Sequence, residues 1–257
     1  MPDLKIILKQ RPINGLTNSK LSIQDNIFQQ QIEKEASFLR LHVRQFVGVV
    51  SQIFDLKEPI YEFGSRQITS HPYEDLRSIF KDQEYVGVDM IPGPGVDRIE
   101  NIEHLTLSDG EAGSILMLDT IEHVKGINQA MKECIRVLAE DGIIVSSVPM
   151  LFPIHSFPYD YWRLTPDGMR ALLERFACKV VAYHGYRNFP HTVYGIAFKT
   201  EPDLIENKVK RLNEMYKQYC LIGLNVLSKI RIPIARLVGK QAFYERRYVN
   251  DFKFWLC

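Results

Sequence analysis

Apolar residues along the first quarter of the chain fall into a helical rhythm. From Asp25 to Phe54, Ile27, Phe28, Ile32, Ala36, Phe38, Leu39, Leu41, Val43, Phe46, Val47, Val50 and Ile53 recur at mixed steps of three and four, with Gln, Glu, Lys and Arg between them. That spacing puts the apolar residues on one stripe and predicts an amphipathic helix packed on the domain C-terminal to it. Residues 1–24 carry no sustained period and include Pro12 and Gly15, so they read as an extended or loosely ordered arm. After Pro59 the rhythm changes to short apolar runs alternating with longer helical stretches, the mark of a sheet covered on both faces by helices. Strands are predicted at Ile60–Phe63, Tyr85–Asp89, Ser114–Leu118, Ile143–Val148, Lys179–His184 and Thr192–Phe198. Helices are predicted at Glu74–Phe80, Gly126–Ala139 and Pro166–Phe176. Thr165 before Pro166 suits a helix N-cap, and Asp141-Gly142 suits a turn from helix into strand. Beyond Pro202 a Lys/Arg-rich helical tail is broken at Pro233 and ends in the aromatic run from Phe252 to Trp255. The chain thus divides into an arm and helix (1–55), an α/β domain (56–202) and a basic helical extension (203–257).

Composition narrows the function classes. At 257 residues and 46% apolar content the chain can bury a full core. Its 32 basic and 31 acidic residues leave a net charge of +1, which gives no general attraction to nucleic acid. Cys134, Cys178, Cys220 and Cys257 show neither paired spacing nor a metal-ligand rhythm, so no metal is expected and the thiols read as reduced. No N-terminal apolar signal core is visible, and no run approaches the ~18 apolar residues of a spanning helix. These features predict a cytoplasmic protein.

The strongest local chemistry lies in Ile60-Tyr61-Glu62-Phe63-Gly64-Ser65, a strand that carries a carboxylate and then a glycine to its C-terminal edge. A second strand, Tyr85 to Asp89, ends in another acid. Open parallel sheets bind ligands at this edge, and an acid there can accept both hydroxyls of a ribose. A dinucleotide needs Gly-x-Gly-x-x-Gly so that backbone can approach its pyrophosphate, but Arg66 and Thr69 stand where the second and third glycines belong. An adenosine without phosphates needs only one such glycine, which makes a nicotinamide-dependent oxidoreductase the weaker reading.

Five segments in order extend the pattern: Ile60–Ser65; Tyr85–Met90; Gly93–Arg98; Leu118-Asp119-Thr120-Ile121-Glu122-His123-Val124; and Tyr159-Asp160-Tyr161-Trp162-Arg163-Leu164-Thr165-Pro166. Over about Pro59 to Lys199 the chain resembles the class I S-adenosylmethionine-dependent methyltransferases, in the type 11-like group. The resemblance implies a Rossmann-like fold with a mostly parallel seven-stranded sheet, helices on both faces, an N-terminal helix and a helical C-terminal tail. It implies S-adenosyl-L-methionine as cofactor, with Glu62, Gly64 and Ser65 on its methionine side and Asp89 and Met90 at its ribose. Asn101 and Ile102 then flank the adenine, and Leu118, Asp119 and His123 lie beside the cofactor. The chain departs from the family in its first loop, Gly64-Ser65-Arg66-Gln67, and in Asn101 where an Asp is common.

The implied activity is methyl transfer to an oxygen or nitrogen of a small molecule or glycan. In-line displacement needs alignment and exclusion of water, and a base only where the acceptor must lose a proton. His155 and Asp160, in the aromatic loop after the fifth strand, are the candidates for that base. The altered first loop supports a rival reading, a non-catalytic interaction module of the same fold. The basic amphipathic tail suits an anionic bilayer, a dimer contact or an anionic acceptor, with packing on the protein's own sheet as the leading use.

Overall fold

The computed structural model describes residues 41–67, 75–152, 154, 159–186, 188–222 and 252–256. The chain divides into two units at Phe38/Leu39, and the first unit lies outside these residues. Within the second, α1 (41–53) leads into β1 (Ile60–Phe63), β2 (Tyr85–Asp89), β3 (Arg98–Ile99) and β4 (Ala112–Leu118). A 3₁₀ turn (Ile121–His123) and α2 (Ile127–Val137) connect β4 to β5 (Leu138–Pro149). Then come α3 (Pro166–Leu172), β6 (Cys178–Tyr186), β7 (Phe189–Phe198), α4 (Ile205–Ile222) and β8 (Phe252–Leu256).

These strands form one sheet in the order β3-β2-β1-β4-β5-β7-β6-β8. The pairings from β3 to β5 are parallel and those from β5 to β8 antiparallel. Alternation along the strands sends neighbouring residues to opposite faces. Tyr61 and Phe63 of β1, Ile115 and Met117 of β4, and Ile144 and Val148 of β5 pack on one face with α2 and α3, through Met131, Cys134 and Met169. Ile60, Leu116, Ile143 and Val145 face the other way and meet α1 and α4 through Phe46, Val47, Val50, Leu212 and Tyr216. The result is the helix-sheet-helix layering expected of a Rossmann-like chain. Residues Val43 to Val50 confirm the helical stripe over the described part of 25–54; the remainder of that stretch and the arm at 1–24 lie outside the described residues.

Four features differ from the sequence-based expectation. The sheet has eight strands, because Phe252–Leu256 pairs antiparallel with β6, so the tail ends in a strand. Its alternation was hidden in a basic helical context, and strand pairing is a long-range property that local pattern does not report. The crossover between β1 and β2 shows turns, with no helix over 75–84: Ile79 and Phe80 donate to carbonyls only three residues back, at Leu76 and Arg77. Leu76 and Phe80 are buried there, too short a run to propagate a helix. Asp141-Gly142 sits within β5 as a bulge, since the register with β4 jumps between Ala112↔Leu138 and Ser114↔Ile143. Finally, the two-residue β3 was too short to read. Thr165 does cap α3, its Oγ1 accepting from Gly168 N at 3.1 Å. No described helix is long and apolar enough to cross a membrane.

Three imidazoles meet beneath α1. His184 lies 4.1 Å from His42 and 4.6 Å from His191, ring centre to ring centre, and its Nδ1 hydrogen-bonds Tyr216 Oη at 2.7 Å. Burial lowers His42 to about 4 against a hydrogen bond with Gln45. Burial also lowers His191 to about 3, with His42 acting in the same direction. Both values lie below the unfolded 6.5, so below that pH the unfolded chain takes up protons that the folded chain refuses. This contribution to stability is complete above about pH 6.5 and is lost as the pH falls. Urea melts between pH 6.5 and 5, above most carboxylate titrations, are expected to show stability falling with pH, and His191→Gln is expected to reduce that slope by about half.

Candidate active site

The carboxyl ends of β1, β2 and β4 lie side by side because their registers align Phe63 with Val88 and with Met117. The chain leaves β1 through Gly64 at φ +82, a left-handed conformation that glycine adopts without strain. A side chain here would also meet Thr120 Oγ1 at 2.3 Å. Thr120 occupies that space to donate its hydroxyl to the Phe63 carbonyl at 2.9 Å, which ties the turn after β4 to the end of β1. The glycine is therefore required by Thr120 itself. Gly64 N and Ser65 N both donate to the Val88 carbonyl, so the first-loop amides serve the fold. Ser65 is buried, and its Oγ has no hydrogen-bond partner among the described residues.

Asp89 is held at the end of β2 by two backbone amides. Arg66 N reaches Oδ2 at 3.3 Å and Ile91 N reaches Oδ1 at 3.0 Å. Register and pleat put Glu62, paired with Gly87, on the same sheet face as Asp89. Glu62 is buried and accepts a hydrogen bond from the Tyr85 phenol, whose proton is held firmly by burial and by that carboxylate. Beyond Asp89, Met90 and Ile99 are exposed apolar side chains. The loop between β2 and β3 folds back over Gly87, where a Cβ would lie 2.0 Å from the Gly95 carbonyl. Asp97 fastens it by accepting from Gly87 N at 2.7 Å and from Arg77. Asn101 Oδ1 accepts from Glu103 N at 2.9 Å, and Ile102 is buried in the core.

After β4 the chain turns at Asp119, φ +50, a conformation short polar side chains tolerate. Asp119 N donates to Ser147 of β5, and Ser147 Oγ donates back to Asp119 Oδ1 at 2.7 Å. The next residues grip the segment after β5. Glu122 O accepts from Tyr161 N at 2.7 Å and Trp162 N at 3.3 Å, and Val124 O accepts from Trp162 Nε1 at 2.7 Å. His123 Nδ1 donates to the Tyr159 carbonyl. These bonds leave the rings of Tyr159, Tyr161 and Trp162 substantially exposed. The Asp160 side chain is almost fully buried, with both carboxylate oxygens accepting from Arg163. That arrangement makes Asp160 the anchor of Arg163. His155, the other candidate base, lies outside the described residues.

Of the expected site residues, the structure brings Gly64, Ser65, Asp89 and Met90 to one edge with Leu118 and Asp119 at the end of β4, and His123 a turn further on. Thr120, Glu122 and Ser147 were not singled out from sequence as site residues. Thr120 and Glu122 lay inside the quoted 118–124 segment, whereas Ser147 carried no signal beyond its place in a strand.

Residues 73–146 match the family model described as a methyltransferase domain. No curated protein matches the chain. Similar solved structures include a Thermotoga maritima protein described as an S-adenosylmethionine-dependent methyltransferase and possible histamine N-methyltransferase, at 16% identity and TM-score 0.47, covering 68% of this chain and 99% of that one. Another is the Burkholderia thailandensis 1,6-didemethyltoxoflavin N1-methyltransferase with 1,6-didemethyltoxoflavin and S-adenosylhomocysteine bound, at 13% identity and TM-score 0.48, covering 72% and 94%.

Substituting Gly64 by Ala is expected to cost about 2 kcal/mol or more, combining left-handed strain with the Thr120 collision. The Gly64→Ala/Thr120→Ala double variant is expected to lose less than the sum of the two single variants; additive losses in urea melts would show that the two residues are not in contact.

Proposed function

We propose that the chain is an S-adenosylmethionine-dependent methyltransferase, a reading supported by the match of residues 73–146 to the methyltransferase-domain model, and that it transfers the cofactor's methyl group to an oxygen or nitrogen of a small-molecule or glycan acceptor. The observation that carries the reading is the Asp89 carboxylate at the shared edge of β1 and β2. Each of its oxygens accepts one backbone N–H, from Arg66 and from Ile91. A carboxylate oxygen has two acceptor sites, so one on each remains for the two hydroxyls of a ribose. Met90 and Ile99, exposed beside it, offer apolar surface to a flat base, and Asn101 keeps its amide N–H groups as donors. The residues fit the cofactor in charge and polarity.

When bound, S-adenosylmethionine supplies a methyl group on a positively charged sulfur. The chain's task is then to align an acceptor and keep water away. The exposed rings of Tyr159, Tyr161 and Trp162, fixed by backbone bonds to the turn after β4, suit a flat or carbohydrate face. With Asp160 committed to Arg163, His155 is the remaining candidate for a base.

One observation favours the rival reading of a non-catalytic module. Gly64 N and Ser65 N are both given to the Val88 carbonyl, which leaves the first loop without those amides for a ligand. Isothermal titration decides between the two. The methyltransferase reading expects saturable heat with S-adenosylhomocysteine, weakened ~10-fold or more in Asp89→Ala as two charge-assisted hydrogen bonds are lost. Absence of heat at millimolar ligand would favour the module, and an unchanged affinity in Asp89→Ala would move the ribose site elsewhere.

A further inference from the structure

Glu122 stands out among the carboxylates of the described residues. Its side chain has no solvent exposure, and apart from its own backbone N–H neither oxygen has a hydrogen-bond partner among the described residues. Its backbone carbonyl, by contrast, holds the acceptor-side segment by accepting from Tyr161 N and Trp162 N. The charged and titratable groups facing it come from three directions. Asp119 lies on the turn after β4, His123 on its own 3₁₀ turn with Nε2 3.7 Å away, and Asp160 with Arg163 on the segment after β5. Arg163 is already committed to Asp160.

An isolated ionised carboxylate without hydrogen bonds is among the most costly groups to bury, and it neutralises instead. Burial raises the Glu122 carboxyl well above the ordinary carboxylate range, and the charge of Asp119 adds to that, with the residue's own backbone N–H and then Arg163 opposing. A neutral carboxyl can sit beside Asp119 and Asp160 without repulsion. An ionised one would repel both and compete with Asp160 for Arg163.

The geometry points to Glu122 as a positioning residue for methyl transfer: an uncharged, buried carboxyl that allows one short turn to seat the donor-side residue Asp119 and the acceptor-side segment 159–163 together. The link to methyl transfer rests on the function proposed above; the state of Glu122 does not. Loss of its proton to solvent at alkaline pH pushes the turn and the segment apart and frees Trp162 from the Val124 carbonyl.

The test uses the full chain with Trp255→Phe, which leaves Trp162 as the reporter. At neutral pH the infrared difference between this protein and its Glu122→Gln variant is expected to show a carboxylic-acid carbonyl band. On raising the pH that band is expected to vanish with the same midpoint as a shift in Trp162 emission, and Glu122→Gln is expected to lose both changes. Asp119→Asn removes a repelling charge and is expected to lower the midpoint by about half a pH unit or more. Ionised-carboxylate bands at neutral pH, or a Trp162 transition that persists in Glu122→Gln, would overturn the proposal. Should Glu122→Gln not fold, the Asp119→Asn midpoint decides: a downward shift supports the proposal and an unmoved midpoint refutes it. S-adenosylhomocysteine titrations of the same samples report on the donor site separately, so a failure of either reading is recognisable on its own.

Discussion

The hydroxyl of Thr120, donated to the Phe63 carbonyl, is the contact on which the carboxyl edge of the sheet depends. It joins the ends of β1 and β4, and it exists only because residue 64 has no side chain. With that tie in place, Asp119 is turned into a left-handed conformation and docks on Ser147 of β5. The following 3₁₀ turn is then placed to receive the backbone of 161–162. The turn after β4 and the segment after β5 are thus joined through a few consecutive positions, and a disturbance at Gly64 propagates to both.

The two faces of the sheet handle their polar groups differently. Toward α2 and α3 the packing is mostly aliphatic, aromatic and sulfur-containing, as in the 3.6 Å contact of Cys134 with Met117. Toward α1 and α4 the core includes His42, His184 and His191 with the hydroxyls of Tyr194 and Tyr216. Burying imidazoles stabilises the fold only in their neutral form, so acid sensitivity is built into that layer. Glu122 obeys the same logic with the opposite charge: a group that burial holds neutral, set where elements meet.

Much of the architecture was legible in the chain. β1 and β2 run over the residues that short apolar runs marked, and Thr165 caps α3 as its position before Pro166 implied. Both acids at the edge were visible as polar residues in apolar runs. Two of the misses share a cause. β8 depends on pairing with β6, and the β5 bulge depends on register against β4. The strand β8 and the bulge are each set by a partner distant in sequence. The run at 75–84, too short to propagate a helix, is held in turns with Arg77 reaching Asp97 and the Gly95 carbonyl.

Period and composition alone determined that this chain folds as helices on both faces of a sheet, with carboxylates carried by its strands and without the glycines a pyrophosphate needs. Those properties are local, since they arise from the spacing of apolar residues and from the conformational freedom of single positions. Tertiary structure decided which carboxyl does what. Asp89 keeps acceptor capacity, Asp160 is spent on Arg163, Glu62 is bound by Tyr85, and Glu122 is buried with no hydrogen-bond partner but its own backbone N–H among the described residues. In sequence all four are simply acids; their charge and availability depend on the solvent and neighbours that only the folded chain supplies.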